Sequence, residues 1–229
     1  MNTGSFAPLT GRARPSALSF AMAGALFLLY PVVRPYSDET TLRGAEAMAS
    51  GAWIAAHLFA VGGFILLTLG LLGLRTVLRD RLASGAVVVT WTGVGLTLPY
   101  YGAEVFGLNA IAQRALQEQD PGLLELAEVI RLGAASGAMF VAGLLLLAAG
   151  SILAAVAVRR SGTLPRWSGV PLALGFALFL PQFFGTPALR IAHGALIAAG
   201  ALWLAVSLWR TASVTTSEEH EIAQAGSLR

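Results

Sequence analysis

The sequence predicts an all-α integral membrane protein with six transmembrane helices. Of the 229 residues, 56% are hydrophobic and only 12% are charged, and the mean hydropathy is +0.71. A soluble globular domain carries less apolar surface and more charge than this. Apolar runs of about 20 residues, the length needed to cross about 30 Å of hydrocarbon, recur along the chain.

The first of these runs follows Arg12 and Arg14, as the apolar core of a signal peptide does. It ends in "YPVVRPYS" without a small-x-small cleavage site, which favours a retained membrane anchor. The fifth and sixth runs are joined by "FFGTPALR", which is typical of a tight hairpin. We predict spans at Ser16–Val33, Ala52–Leu74, Ala83–Leu108, Leu132–Val158, Trp167–Thr186 and Leu189–Leu208.

Arginine positions predict the orientation of the spans. With the N-terminus inside, the inner segments hold ten arginines and the outer segments hold five. Because inner loops of membrane proteins are enriched in basic residues, both termini are expected in the cytoplasm of a multi-pass cell-membrane protein. The inner arginines are Arg12, Arg14, Arg75, Arg79, Arg81, Arg159, Arg160, Arg166, Arg210 and Arg229, and the outer ones are Arg34, Arg43, Arg114, Arg131 and Arg190.

The remaining chain divides into a cytoplasmic segment at 1–15, the membrane domain at 16–210 and a polar tail at 211–229. We expect the tail to be disordered, with His220 in solvent, because it lacks an apolar stripe. Within an outer segment at about 109–131, "QDPGLLELAEVIR" has Asp120 as a helix cap and Pro121 as the first helical residue. This segment is either an amphipathic lid in the membrane interface or an extension of the fourth span.

Several function classes lack their characteristic residues. The chain has no cysteine and no lysine, which excludes disulfides, thiolate metal sites and Schiff-base chemistry. Its arginines stand at the ends of apolar runs and form no basic stripe, so no nucleic-acid partner is expected. The expected partner is the lipid bilayer. Phosphate-binding loops and nucleophile elbows do not occur in the sequence.

Glu104 is the residue that points to a functional site, because an ionised carboxylate at membrane depth costs several kcal/mol unless it is paired or protonated. His57 and His193 are predicted at the same depth on two other helices, near the outer surface. Neighbouring candidates for ligand binding share this level. They are Arg190 one turn from His193, Arg131 at the head of the fourth span, Tyr100 one turn from Glu104, Asn109 just beyond it, and Trp53 one turn from His57.

Each residue also has a purely structural interpretation. A histidine in an apolar helix is often a hydrogen-bonded core residue, and Glu104 is expected to pair with Arg131 or Arg190 if its role is structural. The outer-loop residues Asp38, Glu39, Arg43 and Glu46 are expected to be solvated. The convergence of polar residues in one leaflet nevertheless favours a ligand, ion or proton site.

Three functions fit this group of residues. A binding or transport protein would hold a cation, a proton or a small amphiphile. An enzyme would use Glu104 as general acid on a lipid-like substrate, oriented by Tyr100 and His57. A metalloprotein would place haem b or a divalent metal between His57 and His193.

The segments "LPYYGAEVFGLNAI" and "LPRWSGVPLALGFALFLPQFFGTPALRIAHG", with the region around "LYPVVRPYSDETTLRGAEAMAS", resemble a group of lysine-free multispanning membrane proteins of high-GC bacteria. This resemblance implies a membrane fold and no activity. In size and in its intramembrane acid the chain is also similar to small membrane terpene cyclases, which implies an isoprenoid substrate for Glu104. The Asn-x-x-Trp-Glu pattern of those cyclases is replaced here by "YYGAE".

Overall fold

The computed structural model describes residues 10–227, with side chains described from 13 to 213. This part of the chain is helical and contains no strand. The α-helices are α1 (Thr10–Val33), α2 (Leu42–Ala49), α3 (Gly51–Leu78), α4 (Arg81–Gly102), α5 (Leu108–Glu118), α6 (Glu125–Leu132), α7 (Ala134–Ser161), α8 (Val170–Ala177) and α9 (Pro187–Ser227). A π-helical turn (Ala103–Gly107) joins α4 to α5, and 3₁₀ turns lie at Pro121–Leu124 and Pro181–Phe184.

Five helices in the described part of the chain are long and apolar enough to cross a membrane, so the expectation of a multi-pass helical protein is confirmed at this level. The prediction of six spanning helices is not confirmed. The predicted fifth span, Trp167–Thr186, contains only the eight-residue helix α8 and a 3₁₀ turn. Pro181 contributes to the break, because proline has no N–H to donate to the Ala177 carbonyl at the end of α8.

A group of three helices and a pair of helices form the frame of the bundle. Helix α1 packs between α3 and α9, and α4 packs along α7. The α4–α7 contact depends on glycine, because a Cβ on Gly93 would lie 2.8 Å from the Gly143 carbonyl oxygen and 2.9 Å from the Leu147 nitrogen. Small residues allow such close backbone approach between membrane helices, where the hydrophobic effect does not drive association.

The two ends of the bundle differ in charge. Helices α1 and α9 run antiparallel, with the Arg14 guanidinium 5.5 Å from the Trp209 ring, so the start of α1 and residue 209 lie at the same end. Arg159 and Arg166 lie over Trp167 at that end as well. We call it the arginine-rich end. The opposite end, which carries α2, α5 and α6, is called the pocket end.

Helices α2, α5 and α6 form a cap on the pocket end, with its own apolar cluster around Met48, Trp53 and Leu108. The continuous helix Arg81–Glu118 has 38 residues, about 57 Å, so α5 extends beyond a hydrocarbon core of about 30 Å. The predicted cap at Asp120 is confirmed, since its Oδ1 accepts a hydrogen bond from the Gly122 nitrogen at 2.8 Å. Helix α6 is separated from α7 by Gly133, which is not helical.

Both ends of the described chain differ from the prediction. Helix α1 begins at Thr10 rather than Ser16, and residues 1–9 lie outside the described part. Helix α9 continues to Ser227, so the backbone of residues 211–227 is helical where the sequence predicts a disordered tail. The physical reason is that this segment has no proline and no glycine before Gly226. The expectation for the His220 side chain lies outside the described side chains.

An aromatic cluster fills the centre of the bundle beneath the pocket end. The Phe27 ring contacts Phe64 and Phe176 edge to face, with centroids 5.0 and 5.5 Å apart. Phe64 also contacts Tyr101, whose centroid is 5.3 Å away. Such edge-to-face pairs hold their rings in defined positions. The cluster therefore provides a rigid base for the polar residues above it.

The α4–α7 contact makes a prediction. Substitution of Gly93 by alanine should lower the thermal midpoint in detergent, because the added Cβ forces two backbones apart at a cost of roughly 1–3 kcal/mol. The matched control is Gly95→Ala on the same helix, where a Cβ meets nothing within 4 Å. The control should be neutral or slightly stabilising. Equal midpoints for the two variants would contradict the close packing of α4 on α7.

Candidate functional site

A cavity of about 910 Å³ opens at the pocket end. It is lined by residues from α1 and the loop after it, α3, α4, the π-helical turn, α6, α7, the second 3₁₀ turn and α9. The lining combines charged and aromatic side chains: Arg34, Arg131, Arg190, Asp38, Glu39, Glu104, His57, Tyr30, Tyr36, Tyr100, Tyr101, Phe140, Phe183 and Phe184. A pocket of this size, with a few polar groups on aromatic walls, is typical of a small-molecule site.

Glu104 lies in the π-helical turn, where the chain makes one wide turn between α4 and α5. The Leu108 nitrogen donates to the Ala103 carbonyl, five residues back. Single π-helical turns of this kind occur frequently at functional sites. Trp53 Nε1 donates a hydrogen bond of 2.7 Å to the Glu104 carbonyl oxygen, which fixes the turn against α3. The Glu104 side chain is thereby directed into the cavity.

Glu104 is the end of a chain of ion pairs. Arg131 on α6 donates to both of its oxygens, from Nε to Oε1 at 2.6 Å and from Nη2 to Oε2 at 2.8 Å. The remaining Arg131 nitrogen, Nη1, donates to Glu39 Oε2 at 2.5 Å. Glu39 Oε1 accepts from Arg34 Nη2 at 2.7 Å. We call these four residues the ion-pair chain. Bidentate contacts of this kind are among the strongest hydrogen bonds in proteins.

Glu39 and Arg131, which lie outside the predicted spans, stabilise each other in their charged forms. Burial alone would raise the pKa of Glu39, but the charges of Arg131 and Arg34 outweigh it and hold the pKa below its ordinary value. Burial alone would lower the pKa of Arg131, and its contacts with Glu104 and Glu39 reverse the effect and raise the pKa. Both residues are therefore stabilised in their charged forms.

His57 lies beside the ion-pair chain, buried between Trp53 and Tyr30. Its Nδ1 is 2.8 Å from the Trp53 carbonyl oxygen, and because a carbonyl only accepts, we assign the proton to Nδ1. Its Nε2 is 3.8 Å from Glu104 Oε2. In the neutral ring, Nε2 presents a lone pair to the carboxylate. The contact between His57 Nε2 and Glu104 Oε2 is favourable when Nε2 carries a proton or when a hydrogen-bond donor lies between these two atoms.

Tyr100 lines the same cavity, as its spacing from Glu104 predicts. Its ring stacks on Phe140, with centroids 3.9 Å apart. Trp53 and Asn109 lie behind the cavity rather than on its wall. Asn109 Nδ2 donates to the Met48 carbonyl at 2.9 Å and joins α5 to α2. The structure therefore gives Trp53 and Asn109 supporting positions in place of the direct ligand contact that we predicted.

His193 does not join the cavity that contains His57. It lines a separate small cavity with Phe179 and Gln182, and its Nε2 lies 2.8 Å from the Gly175 carbonyl oxygen. No group of three or more histidine, aspartate or glutamate residues suited to a metal occurs in the described residues. The predicted His57–His193 pair therefore has no geometric support as a haem or metal site.

Arg190 lines both cavities. Its Nη2 donates to the Phe183 carbonyl at 2.5 Å and its Nε donates to the Gly185 carbonyl at 3.3 Å. The predicted alternative in which Arg190 pairs with Glu104 is wrong, because Arg131 occupies both oxygens of that carboxylate.

Sequence reasoning missed the loop that follows α1. Glu39 is not solvated as predicted, because it bridges Arg34 and Arg131. Arg34 also lies over the Trp53 ring, 4.8 Å from its centroid. The available signal was the run "RPYSDE" directly after a span, which places an arginine and two acids at the level of Glu104.

Comparison of the chain with protein-family models, curated proteins and solved structures finds no match.

The lowered pKa of Glu39 predicts how the thermal stability of the protein depends on pH. A carboxylate whose pKa is lowered in the folded state stabilises the fold at pH values above its ordinary pKa, which is near 4.5 for glutamate. This stabilisation is lost as the pH falls below that value. The wild type should therefore melt above Glu39→Gln at pH 7, and the gap should narrow below about pH 4.5. Thermal unfolding in detergent at several pH values measures this.

The control for this experiment is Glu118→Gln, which removes the partner of Arg114 in an exposed pair on α5. It should change the midpoint little, because exposed ion pairs contribute about 0–1 kcal/mol. If the difference in melting midpoint between the wild type and Glu39→Gln stays constant from pH 7 to pH 3.5, ionised Glu39 is not the source of that difference.

Proposed function

We propose that the protein is a multi-pass cell-membrane protein that binds a small amphiphilic molecule in the cavity at the pocket end. One observation carries this proposal: a single cavity joins the charged ion-pair chain to aromatic and aliphatic walls. A polar head would lie near the charges and an apolar chain along Phe140, Val141 and Phe183. A fully soluble ion would leave most of this wall without a partner.

The apolar side of the cavity supports a ligand taken from the bilayer. Leu132 and Phe184 line the cavity and are 78% and 88% exposed on the surface of the protein. Val141 on α7, also in the lining, is exposed as well. Exposed apolar side chains of this size favour contact with lipid over contact with water. They define a lateral opening between the start of α7 and the second 3₁₀ turn.

The distribution of arginines supports an orientation in which the pocket end faces the outside of the cell. Basic residues favour the cytoplasmic side, which puts the arginine-rich end there and the pocket end outside. The start of α1 and residue 209 share the arginine-rich end, in agreement with cytoplasmic termini. In this orientation the cavity opens in the outer leaflet.

The enzyme interpretation has weaker support. Both oxygens of Glu104 accept hydrogen bonds from Arg131, which is the geometry of an ionised carboxylate rather than of a proton donor. A general acid must hold a proton that it can deliver to the substrate. We therefore assign Glu104 to the organisation of the binding cavity.

Native mass spectrometry of the detergent-purified, delipidated protein tests the proposal. The probes are three amphiphiles with the same twelve-carbon chain and an anionic, a zwitterionic or a cationic head. At least one should bind saturably with one molecule per chain. Substitution of Gly137 by phenylalanine should reduce that binding at least about tenfold, because Gly137 lines the cavity and the added ring occupies it.

The matched control is Gly95→Phe, since Gly95 is exposed and a Cβ there meets nothing within 4 Å. It should bind the probes as the wild type does. Binding of none of the probes, or equal binding by Gly137→Phe and the wild type, would refute the proposed cavity.

A further inference from the structure

We infer that Arg190 recognises the head of this ligand and that the head is anionic, a carboxylate or a phosphate. The inference rests on the proposed function, because it identifies the class of amphiphile that the cavity takes. Its basis is the difference between Arg190 and the other two arginines of the cavity wall.

Arg34 and Arg131 are neutralised by the carboxylates of the ion-pair chain. Two positive and two negative groups leave this chain without net charge. The third acid of the lining, Asp38, is exposed and its Oδ1 accepts two hydrogen bonds from Thr40. Arg190 has no carboxylate within ion-pair distance among the described residues. The cavity wall thus carries three arginines and three acids, and Arg190 is the arginine of this wall that no described carboxylate contacts.

The backbone adds to the positive charge of Arg190. Arg190 lies in the first turn of α9, and that turn contains no acidic residue. Helix N-termini carry a partial positive charge, so they favour acids and anions and disfavour a guanidinium. The guanidinium of Arg190 and the start of α9 thus lie together, and no described carboxylate contacts the guanidinium. An anionic head in the cavity would give Arg190 the partner that the other two arginines already have.

Arg190 also has donors left for a ligand. Its contacts with the Phe183 and Gly185 carbonyls use two of the five N–H groups of a guanidinium. The guanidinium lies 5.8 Å from the centroid of the Tyr36 ring, on the cavity wall. The remaining three donors suit a carboxylate or phosphate, which guanidinium groups bind with two parallel hydrogen bonds.

The same segment connects the head site to the lateral opening. Phe183 and Phe184 directly precede the turn that Arg190 holds, and both line the cavity. Phe184 is the most exposed of these side chains, at 88%. A chain that passes beside Phe184 places its head within reach of α9. This arrangement matches a single-chain lipid-like acid better than a compact soluble anion.

A purely structural role is the competing explanation, since Arg190 joins the 3₁₀ turn to α9 through two carbonyls. The two roles differ in what they require of the ligand. A structural role predicts no preference for any head. Recognition predicts a preference for anions already in the wild type, where folding is not in question.

The experiment compares dodecyl phosphate, dodecanoate and dodecyltrimethylammonium by native mass spectrometry and by calorimetric titration. The wild type should bind both anionic probes at least about tenfold more tightly than the cationic probe. Arg190→Gln should remove that preference, and Arg190→Lys should retain a large part of it because the charge remains. The control is Arg114→Gln, an exposed arginine on α5 that pairs with Glu118, and it should bind as the wild type does.

Inorganic phosphate as a competitor distinguishes the two sources of anion. It should displace dodecyl phosphate only at much higher concentration, and displacement at equal concentration would overturn the assignment of an amphiphile. Equal binding of the three probes by the wild type, or an unchanged anion preference in Arg190→Gln, would overturn the role of Arg190. Those outcomes leave the cavity itself in place, whereas the absence of binding by these probes and by the zwitterionic probe refutes the proposed function instead.

Discussion

The bidentate contact between Arg131 and Glu104 is the interaction on which the pocket end depends. A carboxylate at membrane depth requires a partner, and its own helix has none to offer. The guanidinium comes from α6, outside the spans, and reaches both oxygens of Glu104. It thereby fixes α6 relative to the π-helical turn. Without this contact, two charges would remain buried at the wall of the cavity.

The other members of the ion-pair chain extend this constraint. Glu39 connects Arg131 to Arg34, so the loop after α1 and the helix α6 are held together although they are 92 residues apart in sequence. Trp53 supports the chain from below, through its hydrogen bond to the Glu104 carbonyl and its contact with Arg34. The cavity is the space that these elements leave between α1, α4, α7 and α9.

Much of this arrangement could be predicted from the sequence, because hydropathy and helical geometry determine depth. Span boundaries alone predict one level for Glu104, His57 and Arg131, and these residues line one cavity. Depth does not determine the direction of a side chain around its helix. His193 shares the predicted level but faces the Gly175 carbonyl in another cavity.

The remaining features depend on tertiary structure. The path of the loop that carries Glu39 is set by its partners Arg34 and Arg131. The Arg34 pairing lies within the run "RPYSDE", but the pairing with Arg131, 92 residues away, has no local sequence signal. The π-helical turn changes the register of one helix by a single residue, which periodicity over a long apolar run does not reveal. The predicted fifth span has the hydropathy of a membrane helix, yet Pro181 and its neighbours break it.

A double-mutant cycle on Glu104 and Arg131 tests the central claim most directly. Glu104→Gln, Arg131→Gln and the double variant are unfolded in detergent and compared with the wild type. If the bidentate contact organises the pocket end, each single change is strongly destabilising and the double variant loses less than the sum, with a coupling of at least about 1 kcal/mol. Additive effects of the two substitutions would contradict the account.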